Sequence, residues 1–389
     1  MSAKVLIVGG GILGSMHAFH AVQSGHTVVQ LEREADARGA SVRNFGLVWV
    51  SGRATGADLE LSLRARELWE RVAESVPGTG FRPNGSLTVV TDPAELAVLE
   101  QVCARSDAGL RGFELLDAEG VREHNPAVRG DVLAGMLCRQ DAAVEPRLVP
   151  RAIRAELEKS GRYEFHAGVE IAAVDDVPSG VLLRDSTGKT WSADQAIVCT
   201  GAWHNGVAAP WLRDVETVPV RRVRLHMMQT ESLGETLTTS VADADSLRYY
   251  PGFDVPALSV MPAQEPSARQ WGMQLLMVQR NNGGLTIGDT HMYDEPFGFD
   301  VEERPYELLA RKAERVLGHR IPRIERRWTG VYSQLAPGVG DSVSGAVGQG
   351  IYYHREVVPD VRLVTGPGGR GMTHSPAIAE QTFKAAGLL

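Results

Sequence analysis

Cysteine is scarce in this sequence, and the apolar runs are short. The three cysteines, Cys103, Cys138 and Cys199, lie far apart and form no CxxC pair. This spacing argues against a disulfide framework and a cysteine-built metal site, and it favours a reducing compartment. Apolar runs such as residues 5–8 and 196–199 are far too short to span a bilayer. Because the chain starts with a strand-like pattern and not a signal-peptide pattern, we expect a cytoplasmic protein without a membrane span.

An excess of positive charge is also missing. Lys and Arg together number 40 and Asp and Glu 48, which gives a formal net charge of −8. This balance argues against nucleic acid or an anionic membrane as the main partner. The 389 residues are 43% hydrophobic and 23% charged, which is an ordinary globular composition. The length favours two domains, one of which can interrupt the other in sequence.

The N-terminus has the pattern of a βαβ unit. An apolar strand, the turn Gly9-x-Gly11-x-x-Gly14, a helix and a second apolar strand follow one another in residues 5–31. The glycines permit a tight turn and the close approach of a pyrophosphate to the helix N-terminus, where free N–H groups favour anions. Glu32 follows the second strand, where a carboxylate can accept ribose hydroxyls. The predicted dinucleotide site also includes Ile12, Leu13 and Arg33.

The rest of the chain alternates between helical and strand patterns. Helices are predicted at about residues 61–76, 93–109, 147–158 and 305–317 and from about residue 376, and strands at 85–90, 164–174, 181–183, 195–199, 220–229, 274–279, 285–288 and 362–365. Asp92, Pro93 and Glu95 are suited to the N-cap, first residue and capping box of the second of these helices, and Gly109 is expected to end it.

A second glycine-rich segment favours FAD over NAD as the dinucleotide. Residues 366–371 follow the last predicted strand and open a helix, which suits backbone contacts to the pyrimidine edge of a flavin. A dehydrogenase that binds NAD has no need of such a segment. The strand at residues 194–201, which ends in Thr200-Gly201, is the second feature that favours FAD.

These segments resemble the FAD-binding half of the D-amino-acid oxidase/glycine oxidase (DAO) superfamily, over nearly the full length of the chain. Three further motifs resemble a subfamily often linked to phosphonate metabolism. They are Ser41-Val42-Arg43-Asn44-Phe45-Gly46, Gly288-Asp289-Thr290-His291 and Gly368-Gly369-Arg370-Gly371-Met372-Thr373.

The resemblance implies an α/β fold in which a Rossmann-like FAD-binding domain is interleaved with an α+β substrate domain built on a mostly antiparallel sheet. The FAD-binding domain is expected at residues 1–52, 141–216 and 326–389, and the substrate domain at residues 53–140 and 217–325. Ser41 is expected at the pyrophosphate, Asn44 and Gly46 at the flavin ring, and Ile171 at the adenine. The other cofactor residues implied are Thr200, Gly201, Trp203, Gly368, Gly369, Gly371, Met372 and Thr373.

One departure from the family pattern concerns the substrate. Relatives that oxidise simple α-amino acids commonly carry an Arg in the motif W-x-G-x-R-P, whose planar fork holds a carboxylate by two hydrogen bonds. Here Trp328-Thr329-Gly330-Val331-Tyr332 places Tyr332 at that position. A phenol does not supply that charge pair, so glycine or a D-amino acid is disfavoured as substrate unless another arginine reaches the site.

The expected substrate pocket combines candidate arginines with polar and aromatic residues. It comprises Arg43, Tyr249, Tyr250, His291, Tyr332, Arg370 and His374. Arg221, Arg222 and Arg224 are further candidates, although such a cluster is more often a solvated strand edge. Asp289, His291 and His374 match no metal motif in their spacing, so we expect no metal.

The function implied is FAD-dependent oxidation of a C–N bond in a small amine. Hydride passes to the flavin N5, and the resulting imine is hydrolysed. O2, giving H2O2, or another acceptor would take the electrons. The subfamily resemblance suggests a substrate with an amine and an anionic head, such as an aminophosphonate. The alternatives are an FAD-dependent 2-hydroxy-acid or alcohol dehydrogenase, a glycine- or sarcosine-type oxidase, an NAD dehydrogenase and a non-catalytic flavoprotein. The pattern leaves open a monomer or a homo-oligomer.

Overall fold

A mostly parallel sheet contains the N-terminal strand at its centre. The computed structural model describes residues 2–213, 219–337 and 350–388. Within these ranges six strands form the sheet, in the order Tyr353–Val358, Val361–Thr365, Gln195–Val198, Lys4–Val8, Thr27–Glu32 and Tyr163–Ala167. Neighbouring strands are parallel except the first two, which are antiparallel.

The two faces of this sheet are covered by different layers, because successive side chains of a strand point in opposite directions. Val5 and Ile7 pack against helices, whereas Leu6 and Val8 pack against a small antiparallel sheet. The helices are Ile12–Gln23, Ala57–Ser75, Val149–Glu158 and Gly371–Ala385. The small sheet is formed by Ile171–Asp175, Val181–Asp185 and Thr190–Ala193. Burial on both faces explains why the central strands are continuous apolar runs.

A second large sheet is mostly antiparallel. The described residues contribute eight strands to it, in the order Ile324–Leu335, Val220–Ser232, Gly284–Gly288, Leu276–Gln279, Ser240–Ala242, Ser86–Val90, Ala134–Cys138 and Phe113–Asp117. The pairing between the fifth and sixth of these strands is parallel. The amphipathic helix Arg304–Leu317 covers one face, where Tyr306 and Leu309 pack against Met228 and Ile287.

Shorter elements connect and flank these layers. The strands Leu47–Val48 and Ala142–Ala143 pair with each other. The remaining helices in the described ranges are Pro93–Cys103, Ala108–Arg111, Ala118–His124, Ala209–Arg213, Asp245–Tyr249 and Pro266–Gln270. In the part of the chain that the structure describes, we find no helix that is both long and apolar enough to cross a membrane.

Two predicted helix limits are wrong. The capping box is present: Asp92 accepts the N–H of Ala94 and Glu95 accepts the N–H of Asp92. However, that helix ends at Cys103, and Gly109 lies in the separate short helix Ala108–Arg111.

The last helix begins at Gly371 and not near Pro376, which lies inside it. Proline lacks the N–H that would bond to the carbonyl of Met372. The indole N–H of Trp69 and the hydroxyl of Ser375 donate to that carbonyl, each at 3.1 Å, so the helix continues through the proline.

The two large sheets agree with the predicted pair of sheets, while the proposed domain limits remain a proposal. The predicted limit between residues 325 and 326 falls inside the strand Ile324–Leu335, which pairs with Val220–Ser232 along its length. Sheet membership therefore places the whole strand with the predicted substrate domain. The limit between residues 216 and 217 lies outside the described residues.

Candidate active site

A cavity of about 370 Å³ is lined by segments from both large sheets. Its wall combines the first glycine turn, the loop at residues 40–49, the strands Val220–Ser232 and Ile324–Leu335, and the second glycine-rich segment at residues 367–373. The two glycine-rich segments are remote in sequence, and the fold brings both to this cavity.

The first glycine turn leaves the N-terminus of the helix Ile12–Gln23 open to the cavity. A Cβ on Gly9 would lie 2.3 Å from the carbonyl oxygen of Cys199, and one on Gly14 would lie 2.0 Å from the carbonyl oxygen of Gly9. No side chain caps the helix, and no acidic residue lies in its first turn. The N–H of Ile12 donates to Ser41 Oγ at 2.8 Å. Free N–H groups and the helix dipole at such a terminus favour a phosphate.

Glu32 lies at the carboxyl end of the second parallel strand, beside this turn. Its Oε2 accepts the N–H of Gly10 at 2.5 Å, and its Oε1 accepts the N–H of Glu34 at 2.9 Å. The neighbouring Arg33 stacks on Trp203, with 4.2 Å between the guanidinium carbon and the ring centroid. The turn therefore fixes the position of the carboxylate without neutralising it.

The loop at residues 40–49 is held by its own side chains and by the last helix. Asn44 donates to the carbonyls of Ala40 and Ser41, and its Oδ1 accepts the N–H of Gly46 at 2.6 Å. Thr373 Oγ1 accepts the N–H of Trp49 at 2.9 Å. These bonds join two segments that form opposite ends of the chain.

Aromatic side chains form another part of the cavity wall. Tyr249 stacks on His291 with 4.0 Å between ring centroids, and its hydroxyl lies 3.5 Å from that of Tyr332. Tyr250 packs edge-on against Tyr249. Burial raises the pKa of Tyr249, Tyr250 and Tyr332. These phenols therefore remain neutral hydrogen-bond donors at physiological pH.

Three arginines and two aspartates are also among the wall residues. Arg370 Nη1 lies 3.3 Å from Asp58 Oδ2. Arg53 is only 4% exposed, its Nε donates to the carbonyl of Trp49 at 2.8 Å, and its charge lies close enough to Asp58 and Arg370 to affect its pKa. Arg43 Nη1 donates to the carbonyl of Thr329 at 3.0 Å. Burial raises the pKa of Asp289.

The sequence matches the family model "DAO: FAD dependent oxidoreductase" from residue 4 to residue 385. The chain belongs to this family. The predictions of an FAD-dependent oxidoreductase and of FAD as its cofactor are thereby confirmed. The chain is also similar to an opine oxidase polypeptide of Agrobacterium tumefaciens (strain Ach5), with 24% identity over 400 residues that cover 98% of this chain and 93% of that protein.

Solved structures confirm the fold class of this DAO protein. Glycine oxidase from Bacillus cereus ATCC 14579 superposes with a TM-score of 0.76 at 17% identity, over 99% of this chain and 95% of that one. L-Proline dehydrogenase from P. horikoshii superposes with a TM-score of 0.76 at 18% identity, over 99% of this chain and 94% of that one. At these identities the likeness shows the DAO-type FAD-binding fold.

The described residues fit FAD. The glycine turn excludes side chains where a pyrophosphate must approach the backbone, since a Cβ on Gly11 would lie 2.9 Å from Ser41 Oγ. Gln334 Oε1 and Trp49 Nε1 belong to wall residues, are buried, and find no hydrogen-bond partner among the described residues. Buried polar atoms of this kind suit a ligand that has both polar edges and an apolar ring system.

Eleven of the predicted cofactor residues lie on the cavity wall. They are Gly11, Ile12, Leu13, Ser41, Asn44, Gly201, Gly368, Gly369, Gly371, Met372 and Thr373. Gly9, Gly14, Glu32, Gly46 and Thr200 adjoin these segments in sequence. Arg33 and Trp203 stack on each other, and Ile171 is buried in the core against the small sheet. The roles of all these residues remain proposals.

Six of the seven predicted pocket residues also lie on the wall: Arg43, Tyr249, Tyr250, His291, Tyr332 and Arg370. His374 lies behind the wall, fully buried, with its Nε2 2.7 Å from Ser62 Oγ and 3.6 Å from Asp58 Oδ1. The cluster of three arginines is engaged elsewhere. Arg221 stacks on Tyr293, Arg222 pairs with Glu295, and Arg224 donates to the carbonyl of Gly298.

Sequence reasoning missed Arg53 and Asp58, and it considered Asp289 only as a metal ligand. Arg53 directly follows the buried stretch at residues 45–52, and Asp58 is in the first turn of the helix Ala57–Ser75. A charged residue directly after a buried segment is a signal that could have identified Arg53. Nothing in the sequence indicates that Asp58 lies beside Arg370.

Proposed function

We propose that this protein oxidises the C–N bond of a small amine that also carries an anionic head, and that its substrates are aminophosphonates. The flavin, when bound, accepts the hydride and later passes the electrons to O2 or another acceptor. Relatives whose names are opine oxidase, glycine oxidase and L-proline dehydrogenase support oxidation next to nitrogen. A cytoplasmic location stays a prediction that rests on the scarce cysteines.

The observation that carries this proposal is a pair of arginines associated with one carboxylate. Arg53 and Arg370 both lie on the cavity wall, and Asp58 pairs with Arg370. The group of three therefore keeps one unbalanced positive charge, and Arg43 adds another to the same wall. A phosphonate dianion makes charge-assisted hydrogen bonds with more than one guanidinium, whereas the usual family site uses one arginine for one carboxylate.

The aromatic side chains support the chemistry by position. Tyr249, Tyr332 and His291 form a packed, largely buried group on the wall, which limits the access of water to the reacting carbon. Their neutral hydroxyls orient a substrate without adding a charge that would compete for its anionic head. Binding and orientation of the amine then account for the contribution of the protein, and no dedicated base is required.

The test is anaerobic reduction of the flavin by candidate substrates. We expect 2-aminoethylphosphonate and its N-methyl or 1-hydroxy relatives to bleach the flavin faster than β-alanine, glycine or sarcosine do. Faster bleaching by the carboxylates would contradict the phosphonate class. Bleaching by 2-hydroxy acids and by none of the amines would contradict C–N oxidation.

Variants of the arginines locate the anionic head. Arg53→Met should lose about 10- to 100-fold in kcat/KM for an aminophosphonate, because one to two charge-assisted hydrogen bonds are removed. Arg53→Lys keeps the charge but loses the planar fork, so its loss should be smaller. Arg222→Gln, which removes a partly exposed ion pair with Glu295, is the matched control. Equal kinetics in Arg53→Met with FAD still bound would exclude Arg53 as the anion partner.

A further inference from the structure

Asp289 is a rigidly held carboxylate on the cavity wall. It follows the strand Gly284–Gly288 and is 6% exposed. Its backbone N–H donates to the carbonyl of Gln274 at 2.9 Å, and its carbonyl accepts the N–H of Gln274 at 3.1 Å. The two main-chain bonds fix the position of the side chain relative to the neighbouring strand.

The carboxylate of Asp289 is poorly neutralised. Its Oδ1 accepts a hydrogen bond from Gln274 Nε2 at 3.2 Å, and its Oδ2 lies 3.7 Å from His291 Nε2. His291 Nδ1 lies 3.0 Å from the carbonyl oxygen of Gly272, which only accepts, so Nδ1 carries the hydrogen of the neutral ring. His291 Nε2 then has no hydrogen to donate to Asp289. Among the described residues, no lysine or arginine forms an ion pair with Asp289.

Two other buried aspartates near the cavity are compensated in full. Asp58 pairs with Arg370. Asp141 accepts hydrogen bonds from the N–H groups of Val50 and Ser51 and from the hydroxyls of Ser51 and Ser86. A buried carboxylate costs free energy unless a cation or several donors compensate it. Asp289 therefore differs from both, and the missing partner is a cation in the cavity.

Tyr250 connects Asp289 to the arginine pair. Its hydroxyl accepts a hydrogen bond from Gln274 Nε2 at 3.2 Å, the same amide nitrogen that donates to Asp289. The guanidinium carbon of Arg53 lies 6.0 Å from the ring centroid of Tyr250. One tyrosine therefore contacts the surroundings of both charged groups, and only a short molecule spans the distance between them.

We propose that Asp289 binds the ammonium group of the substrate, while Arg53 and Arg370 bind its anionic head. This inference rests on the proposed function and narrows it to short zwitterions whose amine and anion are separated by a few bonds. It also provides a physical reason for an amine over an alcohol, since a hydroxyl does not compensate a buried carboxylate.

The experiment measures the contribution of the amine to binding. Anaerobic spectral titration of the oxidised holoenzyme gives Kd for 2-aminoethylphosphonate and for ethylphosphonate, which lacks the amine. In the wild type the amine should tighten binding by about 10- to 100-fold, the range of one or two hydrogen bonds to a charged group. Asp289→Asn keeps the size of the side chain and removes its charge, so this ratio should fall towards one while Kd for ethylphosphonate is unchanged.

Asp58→Asn is the matched control, because it removes a carboxylate from the arginine end of the same wall. It should change Kd for both ligands by the same factor and leave their ratio intact. Should Asp289→Asn fail to hold FAD, the wild-type ratio and Asp289→Glu, which retains the charge, decide the matter. A wild-type ratio near one, or an unchanged ratio in Asp289→Asn, overturns the inference.

The two proposals fail in different ways. If no amine bleaches the wild-type flavin, the proposed reaction is wrong, and the ratio of the two Kd values still reports on Asp289. If amines bleach the flavin but the ratio ignores Asp289, the reaction stands and the ammonium site lies elsewhere.

Discussion

At the scale of single residues, Tyr332 is the position at which this protein departs from the family pattern that it otherwise follows. Its side chain lies on the cavity wall, 7% exposed, with its hydroxyl beside that of Tyr249. The position is therefore suited to contact a substrate, and the chain places a neutral group there. We infer that the anion-binding role has moved to Arg53 and Arg370, which lie on other segments of the wall.

Tyr332→Arg should restore some activity towards simple amino acids. A guanidinium at this position would supply the two parallel hydrogen bonds that a carboxylate accepts, so kcat/KM for glycine or sarcosine should rise by about 1–3 kcal/mol in transition-state stabilisation. Activity with the phosphonate substrate should fall, because the larger side chain occupies part of the cavity.

Tyr332→Phe is the control for this substitution, since it removes the hydroxyl and adds no charge. Steady-state kinetics with each substrate provide the comparison. An FAD-bound Tyr332→Arg protein with unchanged kinetics for every carboxylate would show that the side chain at residue 332 does not reach the substrate.

At the scale of elements, the glycine turn depends on how closely the backbone packs. A Cβ at residue 14 would meet the carbonyl oxygen of Gly9 at 2.0 Å, and that oxygen also accepts a hydrogen bond from Gln30 Nε2. The neighbouring atoms belong to backbone that forms the first strand and turn, so they have little freedom to move. The helix therefore cannot keep its present position with a side chain at this residue.

Gly14→Ala should consequently lose stoichiometric FAD while the chain retains most of its secondary structure. The measurement is the ratio of flavin to protein absorbance after purification, together with circular dichroism. Gly39→Ala is a matched control, because a Cβ there meets nothing within 4 Å and the residue has a negative φ. Normal FAD content in Gly14→Ala would mean that the turn tolerates a displaced helix.

The element limits also show where sequence patterns are insufficient. Proline near residue 376 predicts a helix start, because a proline inside a helix leaves a carbonyl without its donor. Trp69 supplies that donor from another helix. A residue that is remote in sequence therefore decides where the last helix begins, and no local pattern contains this information.

At the scale of the whole molecule, buried histidines make stability depend on pH. Burial lowers the pKa of His17 to about 3 and that of His354 to about 4, and it lowers the pKa of His374 well below the usual value of 6.5. Below pH 6.5 the unfolded chain takes up a proton at each histidine, while the folded chain does not until its own lower pKa is reached. Stability is therefore lost as the pH falls through this window.

Each such histidine should reduce the free energy of unfolding by about 1.4 kcal/mol per pH unit between pH 6.5 and its folded pKa. Buried Asp141 and Asp289 act in the opposite direction, because burial raises their pKa values in the folded chain. A single variant separates these effects. His354→Gln should reduce the slope of stability against pH by about 1.4 kcal/mol per pH unit between pH 6.5 and 5.

Urea denaturation of the holoenzyme at several pH values measures this slope. His166→Gln, on the partly exposed edge strand Tyr163–Ala167, is the control, and its slope should equal that of the wild type. Equal slopes in His354→Gln and the wild type would show that His354 takes up its proton in the folded state as readily as in the unfolded chain.

The sequence by itself determined the cofactor and the fold class of this protein, because both depend on short contiguous patterns. The strand, glycine turn and helix at residues 4–23 and the glycine-rich segment at residues 366–371 each encode backbone geometry within a few residues. Tertiary structure alone decided which charges meet across the cavity. Arg53, Tyr250 and Asp289 come from segments far apart in the chain, and their contacts arise only when the antiparallel sheet packs against the loops of the FAD-binding sheet.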